Sequence, residues 1–138
     1  MLLFSSCAKE SPVSRVEEEE FLVYVQGEHR VYFKHNSAII EEEGVARVNK
    51  LISELSIVQD VTIVLYGYTD MSENSDKNLS KNRIEAVKKA LQDSGVIDEN
   101  QIKIKTFAFG KYDPMVSRGA PDNNPISRRV DMFIVANR

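Results

Sequence analysis

The sequence predicts an α/β sandwich of order β-α-β-α-β-β, a mixed sheet with helices packed on one face. Three observations predict it. Segments with the two-residue period of strands alternate with segments of helical period. One strand segment, around Val61, Ile63 and Leu65, is apolar enough on both faces to be central. The last strand follows a long Gly/Pro/Asn loop that carries the chain back to the sheet.

Residues 21–25 and 30–33 are aromatic and β-branched, with Gln26, Gly27 and Glu28 between them, the pattern of strand, turn, strand. After the polar turn Lys34-His35-Asn36-Ser37, apolar residues recur at Val45, Val48, Leu51, Ile52 and Leu55 on one helical stripe. The central strand covers residues 61–66, with Gly67 closing it, and a polar loop spans residues 71–77. A second helix is expected from Asn78 or Leu79 to Ser94, with Ile84, Val87 and Leu91 inward and Gly95 as its stop. Strand character returns over residues 102–109, a loop fills residues 110–127, and the final strand covers residues 130–135. Tyr32, Tyr66, Phe107 and Phe109 have strand spacing and are expected in the core.

The 138 residues suit one ordinary domain. With 42% hydrophobic and 28% charged residues, the whole chain fits neither disorder nor a membrane-spanning bundle. Eighteen basic against 21 acidic residues give a net charge of -3, without the positive field that phosphate-dominated binding requires, so nucleic acid is not an expected partner. The acidity belongs to the leading segment, where Glu17, Glu18, Glu19 and Glu20 read as a solvated spacer or a docking tail. The expected division is a leader and acidic linker over residues 1–20 and a folded domain over residues 21–138.

A lone cysteine, Cys7, excludes an internal disulfide, and one cysteine with two histidines makes no zinc scaffold. It follows Met1-Leu2-Leu3-Phe4-Ser5-Ser6, an apolar run ending in two small residues like the tail of a secretory signal. That run resembles a shortened bacterial lipobox with the lipid on Cys7; the other reading is a frayed terminus with an incidental cysteine. No stretch reaches the roughly 18 apolar residues of a membrane-spanning helix.

Asp70 follows the end of the central strand and Arg83 lies in the first turns of the next helix. Such junctions are where α/β sheets build ligand sites. The carboxylate can take an ammonium and the guanidinium can take a carboxylate through two parallel hydrogen bonds, so the pair suits a zwitterion. The competing reading is a turn cap and a surface ion pair worth about 0–1 kcal/mol. In either case the two side chains are expected to be exposed and to matter little for stability. His29 and His35 sit in or beside turns without a catalytic or metal-binding neighbour in sequence.

Four segments in order then carry a resemblance: Gly27-Glu28-His29-Arg30-Val31-Tyr32-Phe33 before Asn36-Ser37-Ala38, Gly67-Tyr68-Thr69-Asp70, Leu79-Ser80 with Arg83 and Ala86-Val87, and Ser127-Arg128-Arg129-Val130. The chain resembles the OmpA-like peptidoglycan-binding domains, most closely the branch of peptidoglycan-associated lipoproteins. The resemblance implies a non-enzymatic, lipid-anchored module on the periplasmic face of the outer membrane. Its partners would be peptidoglycan, the outer membrane through Cys7, and periplasmic proteins of the Tol system, with no cofactor. It also implies that Asp70 and Arg83 grip the free stereocentre of meso-diaminopimelate, with Thr69, Leu79, Phe33, Lys34, His35 and Asn36 around it and Arg128 and Arg129 as weaker candidates. Three departures stand out. The loop from Asp70 to Leu79 is about two residues shorter than usual and lacks the glycine after the aspartate, Lys34 stands where the family often has an acid, and Ser127 replaces an asparagine. The alternatives are a protein-docking or stator-type module with weak or no peptidoglycan binding, and a peptidoglycan hydrolase, for which the sequence offers no second positioned carboxylate, nucleophile or metal cage.

Overall fold

A computed structural model of the chain describes residues 23–24, 29–55, 60–73, 76–98, 100–116 and 119–136. Cys7 and the acidic leader lie outside the described residues. Strands β1 (Val23–Tyr24), β2 (Arg30–Tyr32), β3 (Val61–Tyr68), β4 (Ile102–Gly110) and β5 (Arg129–Ala136) alternate with helices α1 (Glu42–Leu55) and α2 (Asp76–Asp93), and a 3-10 turn (Pro125–Ser127) precedes β5. The sheet runs β1-β5-β3-β4, with β2 also on β5. Strand β3 pairs parallel with β4 and antiparallel with β5. This is the expected mixed sheet with its most apolar strand inside.

The core lies between the helices and one sheet face. Val61, Ile63 and Leu65 of β3 and Val130, Met132 and Ile134 of β5 meet Val48, Leu51 and Leu55 of α1 and Ile84, Val87 and Leu91 of α2. The two periods, 2 along the strands and 3.6 around the helices, bring these residues to one layer. Helix α1 starts with Glu42 and Glu43, favourable at the positive end of its dipole. Helix α2 ends two residues before Gly95, whose φ of 76° lies in the left-handed region open to glycine.

Three expectations are corrected, whereas the first two strand segments form as expected and share one partner: Val23 and Tyr24 pair with Val135 and Ile134, and Arg30, Val31 and Tyr32 with Asp131, Val130 and Arg129. Both are pieces of one edge, because the length of β5 accommodates them in succession. Val45 is exposed and Gly44 takes the inward place on α1. Helix α2 begins at Asp76, earlier than its apolar stripe indicates.

The aromatic residues are also misplaced by strand spacing alone. Phe107 and Phe109 are 45% and 38% exposed, and Tyr32 is exposed as well. Tyr66 lies 5.4–5.5 Å, ring to ring, from Phe107, Phe109 and Phe133. These rings alternate with the core residues along β3, β4 and β5, so the pleat turns them to the face that the helices leave uncovered.

Gly67 is inside β3, one residue before its end, where the register with β4 shifts. A Cβ there would stand 2.8 Å from the carbonyl oxygen of Ser80 and 2.7 Å from Ile84 Cγ1. Glycine is therefore what lets α2 close on the strand end. Gly67→Ala is expected to destabilise the fold by about 1–3 kcal/mol, the usual range for overpacking against backbone that cannot move aside. A urea titration that leaves the midpoint unchanged would contradict this close approach.

Candidate functional site

Beyond β3 the chain makes a tight turn. The Thr69 amide donates to Gly110 O at 2.8 Å, and the Glu73 amide to Asp70 O at 3.3 Å. Asp70 Oδ1 accepts from the Ser72 amide at 2.8 Å and from Ser72 Oγ at 2.7 Å, and Asp70 Oδ2 accepts from Arg128 Nη1 at 3.2 Å. This is the aspartate's ability to hydrogen-bond backbone two residues on. Asp70 is buried, so the turn and a partner guanidinium are what keep its charge inside.

Arg83 is fully buried, and each of its five N–H groups has a partner. Nε donates to Ser37 O at 2.7 Å. Nη1 donates to Tyr68 O at 3.0 Å and to Glu73 Oε1 at 2.9 Å. Nη2 donates to Lys34 O at 3.2 Å and to Glu73 Oε2. The guanidinium also lies 5.3 Å from the centre of the Phe33 ring.

The Glu73 carboxylate is as fully engaged. Besides the two bonds from Arg83 it accepts from the Asp70 amide at 2.9 Å and from the Asn36 amide at 2.7 Å. Asn36 has φ 58°, a conformation that its short polar side chain tolerates, and the turn closes with the Ser37 amide donating to Lys34 O at 3.0 Å. The turn after β2, the end of β3 and the start of α2 thus converge on one buried ion pair.

A second buried cluster stands beside it. Arg129 Nε donates to Asp131 at 2.8 Å, and its Nη1 and Nη2 clasp Asp113 at 2.6 and 3.0 Å. Ser127 Oγ donates to Asp113 at 2.8 Å. Burial pushes the Asp113 carboxyl up, but bonds from Arg129, the Met115 amide and Ser127 outweigh it and hold it below its ordinary value. Arg129 covers the Tyr68 ring at 4.4 Å, and burial together with Asp131 pushes the Tyr68 phenol up to about 12. This cluster pins the loop between β4 and β5 to the sheet.

His35, Asp70 and Glu73 place possible ligand atoms within 4.8 Å of one another. The two carboxylates already face two guanidiniums, which neutralise the charge that would draw a cation. An open cleft of about 230 Å³ borders Phe33, Lys34 and Arg128.

The model of the OmpA family matches residues 32–128, well over half of the sequence. The chain belongs to the OmpA family. Domains of this family are non-catalytic modules that bind peptidoglycan in the cell envelope. No curated protein sequence matches the chain. Among solved structures, the peptidoglycan-associated lipoprotein of Burkholderia pseudomallei is 26% identical, with a TM-score of 0.62 over 77% of this chain and 89% of that one. The C-terminal domain of Helicobacter pylori MotB is 23% identical, with a TM-score of 0.66 over 80% of this chain and 87% of that one. The OmpA-like domain of FopA1 from Francisella tularensis is 18% identical, with a TM-score of 0.58 over 85% of this chain and 80% of that one. The last two likenesses are of fold.

Within this OmpA-family domain, the structure gathers Asp70, Arg83, Phe33, Asn36 and the carbonyl of Lys34 around one point. The Lys34 ammonium turns away to Glu41 at 3.2 Å, and Leu79 is buried. Thr69 Oγ1 and Arg128 Nε are buried with no hydrogen-bond partner among the described residues. Arg128 joins the site through Asp70, whereas Arg129 belongs to the Asp113 cluster. His35 is exposed beside Asp70, and His29 is buried against Glu54 at 3.0 Å. Sequence reading missed Glu73 and Asp113. Glu73 had only one signal, an acid within turn reach of Asp70, and Asp113 had none in its loop.

Burial also overturns the expectation that Arg83 matters little for stability. Without it, the Glu73 carboxylate would be left inside without a counter-charge. Arg83→Met is expected to cost about 3–5 kcal/mol of folding free energy, the range for breaking a buried pair. Chemical denaturation checks this, and a midpoint equal to wild type would mean that the pair is not buried in solution.

Proposed function

We propose that the chain is a non-enzymatic lipoprotein that tethers the outer membrane to the cell wall by gripping meso-diaminopimelate of peptidoglycan stem peptides. The observation that carries this reading is the carboxylate seat beside Asp70. Two guanidinium nitrogens and two backbone amides converge on one carboxylate, and the Asp70 side chain stands at the same turn. A zwitterionic stereocentre presents both halves of that complement: its carboxylate suits the seat, and its ammonium suits Asp70. Phe33, Asn36, Thr69 and Leu79 form the surroundings, His35 and Lys34 the open rim, and Arg128 holds Asp70 in place.

The anchor in this reading is lipid on Cys7, supported by the apolar run, the two serines before it and the polar linker after it. Among the described residues no helix is long and apolar enough to cross a membrane. A single lipid chain gives marginal attachment, and bacterial lipoproteins carry several. Likeness to a peptidoglycan-associated lipoprotein at 26% identity supports this role; the likeness to MotB, which bears on the stator-type alternative, is of fold, and a Tol-system partner is what the resemblance in sequence implies.

Purified protein is expected to co-sediment with intact sacculi and not to clear them. Asp70→Asn keeps the acceptor for Ser72 but removes the charge, and should weaken sedimentation by about 2–5 kcal/mol, the cost of truncating a desolvated charge pair. Lysine-type peptidoglycan, which lacks the carboxylate, should be retained poorly. Equal retention of both wall types, or an unaffected Asp70→Asn variant, would refute the assignment. For the anchor, fractionation of cells expressing the gene with its native upstream region should place the protein in the outer membrane with a lipid mass on Cys7. An unmodified soluble protein would remove that part of the proposal.

A further inference from the structure

The seat just described is already filled, and by the protein's own side chain. Arg83 has no donor left: three of its N–H groups hold the carbonyls of Ser37, Tyr68 and Lys34, and the other two hold Glu73. A carboxylate arriving from outside can reach this guanidinium only by taking the place of Glu73. We propose that Glu73 is an internal stand-in for the ligand carboxylate, and that it sets the selectivity of the site by competing for Arg83. The inference rests on the peptidoglycan-binding reading above.

Three features support exchange over a permanent counter-ion. First, the seat supplies more than charge balance. Glu73 accepts four hydrogen bonds, two from Arg83 and one each from the Asn36 and Asp70 amides, close to the full capacity of a carboxylate. Any other carboxylate of suitable shape finds the same four donors. Second, the occupant sits on a local turn. Met71 and Ser72 before it are exposed, and the main-chain bond that closes the turn, from the Glu73 amide to Asp70 O, is long at 3.3 Å. Its departure moves the turn and leaves the sheet and helix core in place. Third, exchange leaves no buried charge unpaired. The incoming carboxylate neutralises Arg83, and the outgoing Glu73 regains water, so the desolvation penalty that makes breaking this pair costly does not arise.

Two consequences follow for recognition. A ligand end that carries only an amine cannot evict Glu73, whatever contact it makes with Asp70. A ligand end with both charges exchanges its carboxylate for that of Glu73 while its ammonium stays beside Asp70. The internal occupant also lowers apparent affinity by the fraction of molecules whose seat is open, so a seat filled in nine molecules of ten costs about tenfold.

The test is a titration of the full chain with a stem tetrapeptide carrying meso-diaminopimelate and with its L-lysine counterpart, followed by amide NMR and calorimetry, with sacculus sedimentation in parallel. In the wild type, the diaminopimelate peptide should shift the Asn36 and Asp70 amides as their acceptor changes, and the lysine peptide should not. Glu73→Ala should bind the diaminopimelate peptide about tenfold or more tightly than wild type, and acetate should raise its melting temperature saturably by refilling the seat. Glu73→Asp, which withdraws the carboxylate by one methylene but keeps its charge, should gain affinity in part. The wild-type titration decides even if Glu73→Ala does not fold. Sedimentation with sacculi while the two amides stay still, or while Glu73→Ala binds no tighter, would overturn the exchange and leave the peptidoglycan reading intact. Absence of wild-type binding to both sacculi and peptide would overturn both.

Discussion

Arg83 and Glu73 meet where three separate segments of the chain converge, and the geometry of the site depends on their being there. A guanidinium and a carboxylate taken out of water cost several kcal/mol each, which attraction alone repays only with good geometry and with every remaining donor and acceptor satisfied. That condition is met on both sides. Arg83 spends three donors on carbonyls of the turn after β2 and of the end of β3, and Glu73 takes amides from those same two segments. The pair is thus both a charge balance and a clamp. Lysine could not substitute, since a single ammonium offers three donors from one point where the planar fork offers five in fixed directions.

Tyr68 links this clamp to the second one. Its carbonyl accepts from Arg83 at 3.0 Å, and its ring lies under Arg129 at 4.4 Å. On the far side, Arg129 and Ser127 both bind Asp113, which ties the long loop before β5 to the strand end. Arg128 then reaches from that loop to Asp70. The end of the central strand is therefore held from the helix, from the loop and through its own turn. Ser127 is part of this brace through its bond to Asp113, with no hydrogen bond to Asp70 or Arg83 among the described residues.

The aromatic face bears on the same economy. With both helices on one side of the sheet, Tyr66, Phe107, Phe109 and Phe133 pack on one another on the other face, Tyr66 in tilted contacts with the three phenylalanines and Tyr68 stacked on Phe109. Their period matched a strand correctly, but a period of two states only that alternate residues share a face. Which face the helices cover is decided by packing.

The sequence by itself determined the order of elements, the central strand, the amphipathic stripe of α2, the glycine that ends that helix, and the positions of Asp70 and Arg83 at a strand end and a helix start. Each of these is local, set by periodicity and by the conformational limits of a few residues, so it is written in neighbours along the chain. Only the tertiary structure decided that β1 and β2 share one edge, that Arg83 is buried with all its donors spent, that Arg128 and Arg129 serve different acids, and that Glu73 fills the seat. The reason is physical: the partners of Arg83 come from Lys34, Ser37, Tyr68 and Glu73, and no local pattern records which acid a distant guanidinium meets once the chain has closed around both.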